Sequence, residues 1–211
     1  MLQYLICIVI GYFLGCISSG YFVGKLYHVD IRTQGSGNAG TTNVLRTLGK
    51  LPALITFVGD LAKAIVPIVI IRILFDGELA YLLCLYCGLG VVLGHNFPFY
   101  LHFKGGKGIA VTSAVVLSAA NPIMTPIGLA IFAVIVGITR YVSLGSLIVA
   151  WYIPVNTLLF HGQDAIFVHE MIISLLFTVL AYVQHRQNIV RLLHGNENKI
   201  GAKKKEAVAD E

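Results

Sequence analysis

Lys104-Gly105-Gly106-Lys107-Gly108 sets two cations among three glycines. Glycines let backbone amides converge on an anion, and the ammonium groups neutralise it. The run is not a Walker A loop, because the spacing and the following Ser/Thr are absent. It opens an apolar segment whose helical N-terminus would favour an anion further. Two other stretches share this character. In residues 34–50, Gly35, Gly37 and Gly40 let the chain turn, while Ser36, Asn38, Thr41, Thr42 and Asn43 supply neutral donors. Arg46 adds a planar fork suited to phosphate. Alone, such a loop is also an ordinary solvated connector. In residues 185–199 a basic amphipathic run suits an anionic leaflet, yet His185, Asn188 and Glu197 are not needed for that. His95 has three open readings: a base, a donor to phosphate, or a helix-end histidine.

These stretches interrupt a chain of 211 residues that is 57% hydrophobic and 12% charged, against about a quarter charged in soluble domains. Apolar runs cover residues 2–24, 51–74, 79–101, 108–120, 123–139, 144–160 and 165–184. Most approach the ~20 residues that cross a bilayer as a helix. The expected fold is all-α: a polytopic integral membrane protein of about seven transmembrane helices, with residues 108–120 the short one. Asn121-Pro122 separates the fourth run from the fifth, since proline removes a donor and turns the preceding residue away from helix. With that break, one side of the membrane holds thirteen of the fifteen Lys and Arg. The positive-inside rule then puts the N-terminus outside and the C-terminus in the cytoplasm. Without it, basic residues fall on both sides. Residues 1–200 form one membrane-embedded domain, and 201–211 a charged tail expected to be disordered.

The net charge of +5 lies between spans, which fits topology and anionic ligands rather than nucleic acid. Cys7, Cys16, Cys84 and Cys87 all sit in apolar runs and read as inert core thiols. No metal site is evident: the seven histidines lack ligand spacing or carboxylate partners suited to zinc. Glycines four apart at Gly11/Gly15 and Gly20/Gly24 suit close helix packing in lipid. Asp60 and Lys63, at i,i+3 near mid-bilayer, read either as a buried ion pair or as a contact for a polar headgroup or ion.

This topology puts all three anion-suited stretches on one membrane face, beside an apolar bundle able to hold an acyl chain. A lipid-synthesis enzyme acting on phosphorylated substrates follows. A transporter of phosphorylated solutes would instead place polar residues and broken helices near the midplane; here only Asp60 and Lys63 lie deep. A membrane scaffold leaves the three stretches unexplained.

"GSGNAGTTNVLR", "GHNFPFYLHFKGGKGIA" and "HRQNIVRLLHGNENK" resemble the three cytoplasmic motifs of the PlsY family, the bacterial acyl-phosphate:glycerol-3-phosphate acyltransferases. The resemblance extends over nearly the whole chain. It implies acyl transfer from acyl phosphate to the 1-hydroxyl of sn-glycerol 3-phosphate, giving lysophosphatidic acid and phosphate without a cofactor. It also implies the bacterial inner membrane, a site facing the cytoplasm, and a link to a soluble enzyme that makes acyl phosphate. On this footing Ser36, Arg46 and the loop amides (with Gly37, Asn38, Gly40, Thr42 and Asn43) are expected at the acyl-phosphate headgroup. Lys104 is expected as a second cation near the reacting centre, and Gly105, Gly106, Lys107 and Gly108 around the glycerol phosphate. His185 and Asn188 are expected to orient the glycerol, with His95 as a further contact and Glu197 either anchoring the tail to basic neighbours or contacting substrate directly. The proton acceptor is left open among a substrate phosphate oxygen, His95 and His185.

Overall fold

The computed structural model describes residues 1–201, which are helices and turns with no strand among them. The tail expected beyond Gly201 lies outside the described residues. The first crossing is α1 (Leu2–Gly15) followed by α2 (Ser19–Leu26). A short helix, α3 (Thr41–Leu48), precedes the long α4 (Lys50–Leu74) and α5 (Gly77–Asn96). Then come α6 (Ile109–Ala119), α7 (Met124–Thr139), α8 (Val142–Val149) continued by α9 (Tyr152–Phe160), α10 (Phe167–Gln184) and α11 (Arg186–Leu193). Five helical stretches are long and apolar enough to cross a membrane, and α6 and α7 are shorter apolar helices. The expected break is present: α6 ends at Ala119 and α7 begins at Met124. Asn156 Oδ1 accepts from the Asn121 backbone amide at 2.9 Å and so holds the turn. At about 1.5 Å per residue, the eleven residues of α6 rise roughly 17 Å.

The apolar character of α5 runs all round the helix, as expected of a helix buried on every side. Leu82, Leu83, Leu85 and Val91 are fully buried at the centre of the core. Glycine makes its closest contact possible. A Cβ on Gly11 or Gly15 of α1 would collide with the carbonyls of Cys87 or Val91, and one on Gly90 or Gly94 of α5 with those of Ile8 or Tyr12. The two backbones therefore touch directly, in the manner of small-residue packing in lipid. On α7, by contrast, Leu129, Val134 and Ile138 are exposed apolar side chains suited to acyl chains.

The first run is not one continuous helix, as its composition implied. It breaks over residues 16–18, and the reason lies elsewhere in the chain. Lys63 Nζ, nearly buried on α4, donates to Gly15 O at 3.2 Å and Ile17 O at 2.9 Å. Tyr100 OH donates to Cys16 O at 2.7 Å. A buried ammonium without acceptors costs several kcal/mol, more than the helical bonds lost in one open turn at about 1 kcal/mol each.

The Gly-mediated crossing gives a stability prediction. Gly94→Ala should lower the thermal midpoint in detergent by several degrees, matching the 1–3 kcal/mol typical of overpacking. Gly137→Ala on α7, where an added Cβ meets nothing within 4 Å, should be neutral or stabilising by about 0.5–1 kcal/mol. Equal midpoints for the two variants would contradict the direct backbone contact.

Candidate active site

Each polar stretch is first shaped by its own residues. Asn43, buried on α3, donates to Ile31 O and Gln34 O at 3.0 Å each and accepts from the Ser36 amide at 2.8 Å. Its amide is thus committed to backbone, so Asn43 builds the loop and leaves Ser36 on the cavity wall. α3 is amphipathic: Val44 packs inward and Arg46 points outward. In the second stretch the chain doubles back on the end of α5, with the Gly105 amide donating to Asn96 O and the Gly106 amide to His95 O. A Cβ on Gly106 would collide with the His95 ring and one on Gly105 with the His95 carbonyl. The third stretch forms α11 and a return to Glu197, which accepts from Asn188 Nδ2 and Arg191 Nε at 2.9 Å each.

Hydrogen bonds then tie the three together. Asn38 Nδ2 donates to Gly105 O at 3.3 Å, joining the first stretch to the second. Gln184 Nε2 donates to Gly106 O at 3.1 Å, and Lys107 Nζ donates to Asn188 Oδ1, joining the second to the third. The result is one cavity of about 330 Å³. Ser36, Arg46, Lys107, His185, Asn188 and Arg191 stand on its polar wall, together with Asn38, Gly40, Thr42, Asn43, His95, Gly108 and Glu197. Its other wall descends between α6, α7 and the α8–α9 crossing, past Val116, Leu129, Phe132 and Val149 to Met124 and Tyr152. A polar mouth thus opens into an apolar slot.

The mouth is electrostatically unfinished. Arg46, Lys107 and Arg191 converge there around the Glu197 carboxylate. Burial lowers Lys107 to about 8, Glu197 partly offsets this, and Arg191 and Arg46 lower it further. Burial likewise lowers Arg46, with no hydrogen-bond partner for its guanidinium among the described residues. Clustered cations of this kind stabilise a bound anion more than they stabilise the free protein.

The two histidines differ from each other. His185 is buried, and its Nδ1 lies 2.8 Å from Ala181 O, which can only accept. The proton is therefore on Nδ1, and Nε2 presents a lone pair. Burial is the main cause that lowers His185 to about 4, with Lys107 adding to it, so the ring is neutral near pH 7. His95 is buried beneath the second stretch, its Nδ1 2.9 Å from Lys63 Nζ. The ammonium only donates, so Nδ1 accepts and the His95 proton is on Nε2. Asp60 completes this group at 2.9 Å from Lys63 Nζ and 3.6 Å from His95 Nδ1. Asp60 and Lys63 are thus a buried ion pair, and Asp60 also reaches the cavity wall.

Most of the expected site residues meet in this cavity. Lys104 is exposed and stands off its wall, as do Gly37, Gly105 and Gly106; Lys107 takes the inner place. His102 and Phe103 carry positive φ angles of 54° and 57° and help set which of the two lysines turns inward. Arg191, which the sequence marks only as part of a basic run, also lines the cavity. Its spacing of three from Asn188 puts both on one face of α11, which was the available signal. The expectation that no histidine has a carboxylate partner fails at His161, whose Nδ1 lies 2.7 Å from Asp164 Oδ2 because the turn after α9 folds the two together.

The chain is similar to known proteins over nearly its whole length. A family described as "Glycerol-3-phosphate acyltransferase" matches residues 5–195. The protein of that name from Clostridioides difficile is 44% identical over 96% of this chain and 98% of its own. Its namesake from Geobacter sulfurreducens is 38% identical over 96% of this chain and 100% of its own. The crystal structure of PlsY (YgiH), an integral membrane glycerol 3-phosphate acyltransferase, is similar in its glycerol 3-phosphate form with a TM-score of 0.82 and 34% identity. That similarity covers 94% of this chain and 96% of the other. The lysophosphatidic acid form gives 0.79 at 33% identity, covering 94% and 95%.

The lowered Lys107 makes anion affinity pH-dependent. The dissociation constant for inorganic phosphate should begin to rise near pH 8 and go on rising above it, as the free protein's ammonium loses a proton that the bound anion holds in place. Calorimetry below and above that pH should find Lys107→Met weaker at pH 7 and without the rise above pH 8. An unchanged profile in the variant would show that another group titrates.

Proposed function

This chain belongs to the PlsY family of glycerol-3-phosphate acyltransferases, and we propose that it acylates the 1-hydroxyl of sn-glycerol 3-phosphate with acyl phosphate as donor. The products are lysophosphatidic acid and inorganic phosphate. The observation that carries this reading is the cavity itself. A mouth walled by Arg46, Lys107 and Arg191 leads into a slot lined by Val116, Leu129, Phe132 and Val149, which suits two phosphates beside one acyl chain.

Acyl phosphate is a mixed anhydride, already activated, so no acyl-enzyme is required. The glycerol oxygen attacks the carbonyl carbon, the carbon–oxygen bond to phosphorus breaks, and phosphate leaves with the electron pair. Positioning and charge stabilisation supply the rate. Ser36, the amides of the first loop and Arg46 hold the acyl-phosphate headgroup and stabilise the leaving phosphate. Lys107, backed by Gly105, Gly106 and Gly108, holds the phosphate of the glycerol substrate, and exposed Lys104 adds charge near the mouth. His185 Nε2 accepts the hydrogen bond of the attacking hydroxyl, and Asn188 fixes Lys107 beside it. With His185 lowered to about 4, the ring is too weakly basic to keep that proton near pH 7. A substrate phosphate oxygen takes it. His95 supports the loop and does not serve as base, since its Nδ1 is occupied by Lys63.

The distribution of Lys and Arg supports an inner-membrane orientation with the N-terminus outside, the C-terminus in the cytoplasm and the site facing the cytoplasm. The acyl phosphate then comes from a soluble cytoplasmic enzyme.

Purified protein in detergent should form lysophosphatidate from acyl phosphate and glycerol 3-phosphate, and acyl-CoA should not replace the donor. No product from folded protein would overturn the assignment. Ser36→Ala and Arg46→Ala should each remove transfer while leaving the thermal midpoint unchanged; near-normal turnover in both would contradict their roles. His185→Gln tests the proton route. If His185 only accepts a hydrogen bond, the variant keeps the wild-type pH profile at reduced kcat, whereas a protein base would shift that profile.

A further inference from the structure

Among the described residues, one group of three possible metal ligands lies at the other end of the bundle from the phosphate cavity. His161 Nδ1 stands 2.7 Å from Asp164 Oδ2 and 3.9 Å from Glu170 Oε2. One ligand atom from each of the three falls within 4.8 Å of the others. His161 and Asp164 occupy the turn between α9 and α10 and are part-exposed, so an ion in water can reach them. Glu170, in the first turn of α10, is fully buried. Neither of its carboxylate oxygens has a hydrogen-bond partner among the described residues. A buried carboxylate with no donor on either oxygen is costly unless a proton or a cation neutralises it, and a cation can reach it through the part-exposed turn.

The imidazole is held in place for such a role. Its ring stacks on Tyr81 with centroids 3.7 Å apart and planes within 7°. Tyr81 OH is fixed in turn by Thr157 Oγ1 at 2.8 Å and Asn156 Nδ2 at 3.0 Å. Outer contacts of this kind orient ligating side chains at metal sites.

We propose that His161 Nδ1, Asp164 and Glu170 bind a divalent first-row transition-metal ion, best matched by Zn²⁺, that pins the α9–α10 turn to α10. One imidazole with two carboxylates suits Zn²⁺, whereas Mg²⁺ and Ca²⁺ take shells of oxygen. Zn²⁺ bonds of about 2.0–2.1 Å in a tetrahedron put ligand atoms roughly 3.3 Å apart. The observed 2.7 and 3.9 Å bracket that value. On binding, the proton between Nδ1 and Asp164 passes to solvent, Nδ1 gives its lone pair to the ion, and Nε2 keeps its proton. Water completes the shell. The ion acts on stability and not on transfer, because the three residues are remote from the phosphate cavity.

The test uses full-length, untagged protein in detergent, stripped with EDTA and titrated with Zn²⁺ or Mg²⁺ near neutral pH. One Zn²⁺ per chain should bind and raise the thermal midpoint, with Mg²⁺ giving no shift and kcat unchanged. Asp164→Asn and Glu170→Gln should each weaken Zn²⁺ binding by about tenfold or more. Should Glu170→Gln fail to fold, Asp164→Asn, on the part-exposed turn, decides alone. Absent binding, or equal Zn²⁺ affinity in wild type and Asp164→Asn, overturns the proposal. A midpoint that follows pH but ignores EDTA and Zn²⁺ also overturns it, since it marks a protonated His161 between carboxylates.

Discussion

A single buried ammonium governs much of the structure. Lys63 has no water to turn to, so it draws acceptors from three directions: Asp60 on its own helix, the carbonyls of Gly15 and Ile17, and Nδ1 of His95. Each contact has a consequence. The carbonyls are available only because the first crossing opens between α1 and α2. His95, held from below, presents its ring as the floor on which Gly106 rests. The loop carrying Lys107 therefore takes its height from a charge set deep in the bundle. Removing one partner of such a group typically costs 3–5 kcal/mol, so the arrangement holds as a unit.

Above that floor, neutral amides join the loops and leave the cations facing the cavity. Asn38, Asn43, Asn188 and Gln184 spend their hydrogen bonds on neighbouring loops. Arg46 has no hydrogen-bond partner for its guanidinium among the described residues, and crowding by Arg191 and Arg46 helps burial lower Lys107. An anion relieves that crowding, and the relief is part of its binding energy. His185 stays neutral in the same field, which suits it to orient a hydroxyl.

Much of this was legible in the sequence. Glycine spacing marked both the helix crossing and the loops, Asn121-Pro122 marked the break after α6, and charge counting brought three stretches to one face. What stayed hidden depended on partners distant in sequence. The opening after Gly15 has no proline to announce it; it answers Lys63, 48 residues away. Lys104 and Lys107 have the same chemistry and similar neighbours, and backbone turns decide which faces inward. Arg191 reads as one more basic residue of a leaflet-binding tail until Glu197 folds back on it. His161 acquires its carboxylates only when the turn after α9 closes.

The central claim is that one cavity holds both phosphates at once. Glycerol 3-phosphate binding measured with and without a saturating, non-transferable acyl phosphonate tests this directly. Simultaneous binding, with one site for each ligand per chain, is the result the account predicts. Mutually exclusive binding would contradict it, because a single anion position would then serve both substrates in turn.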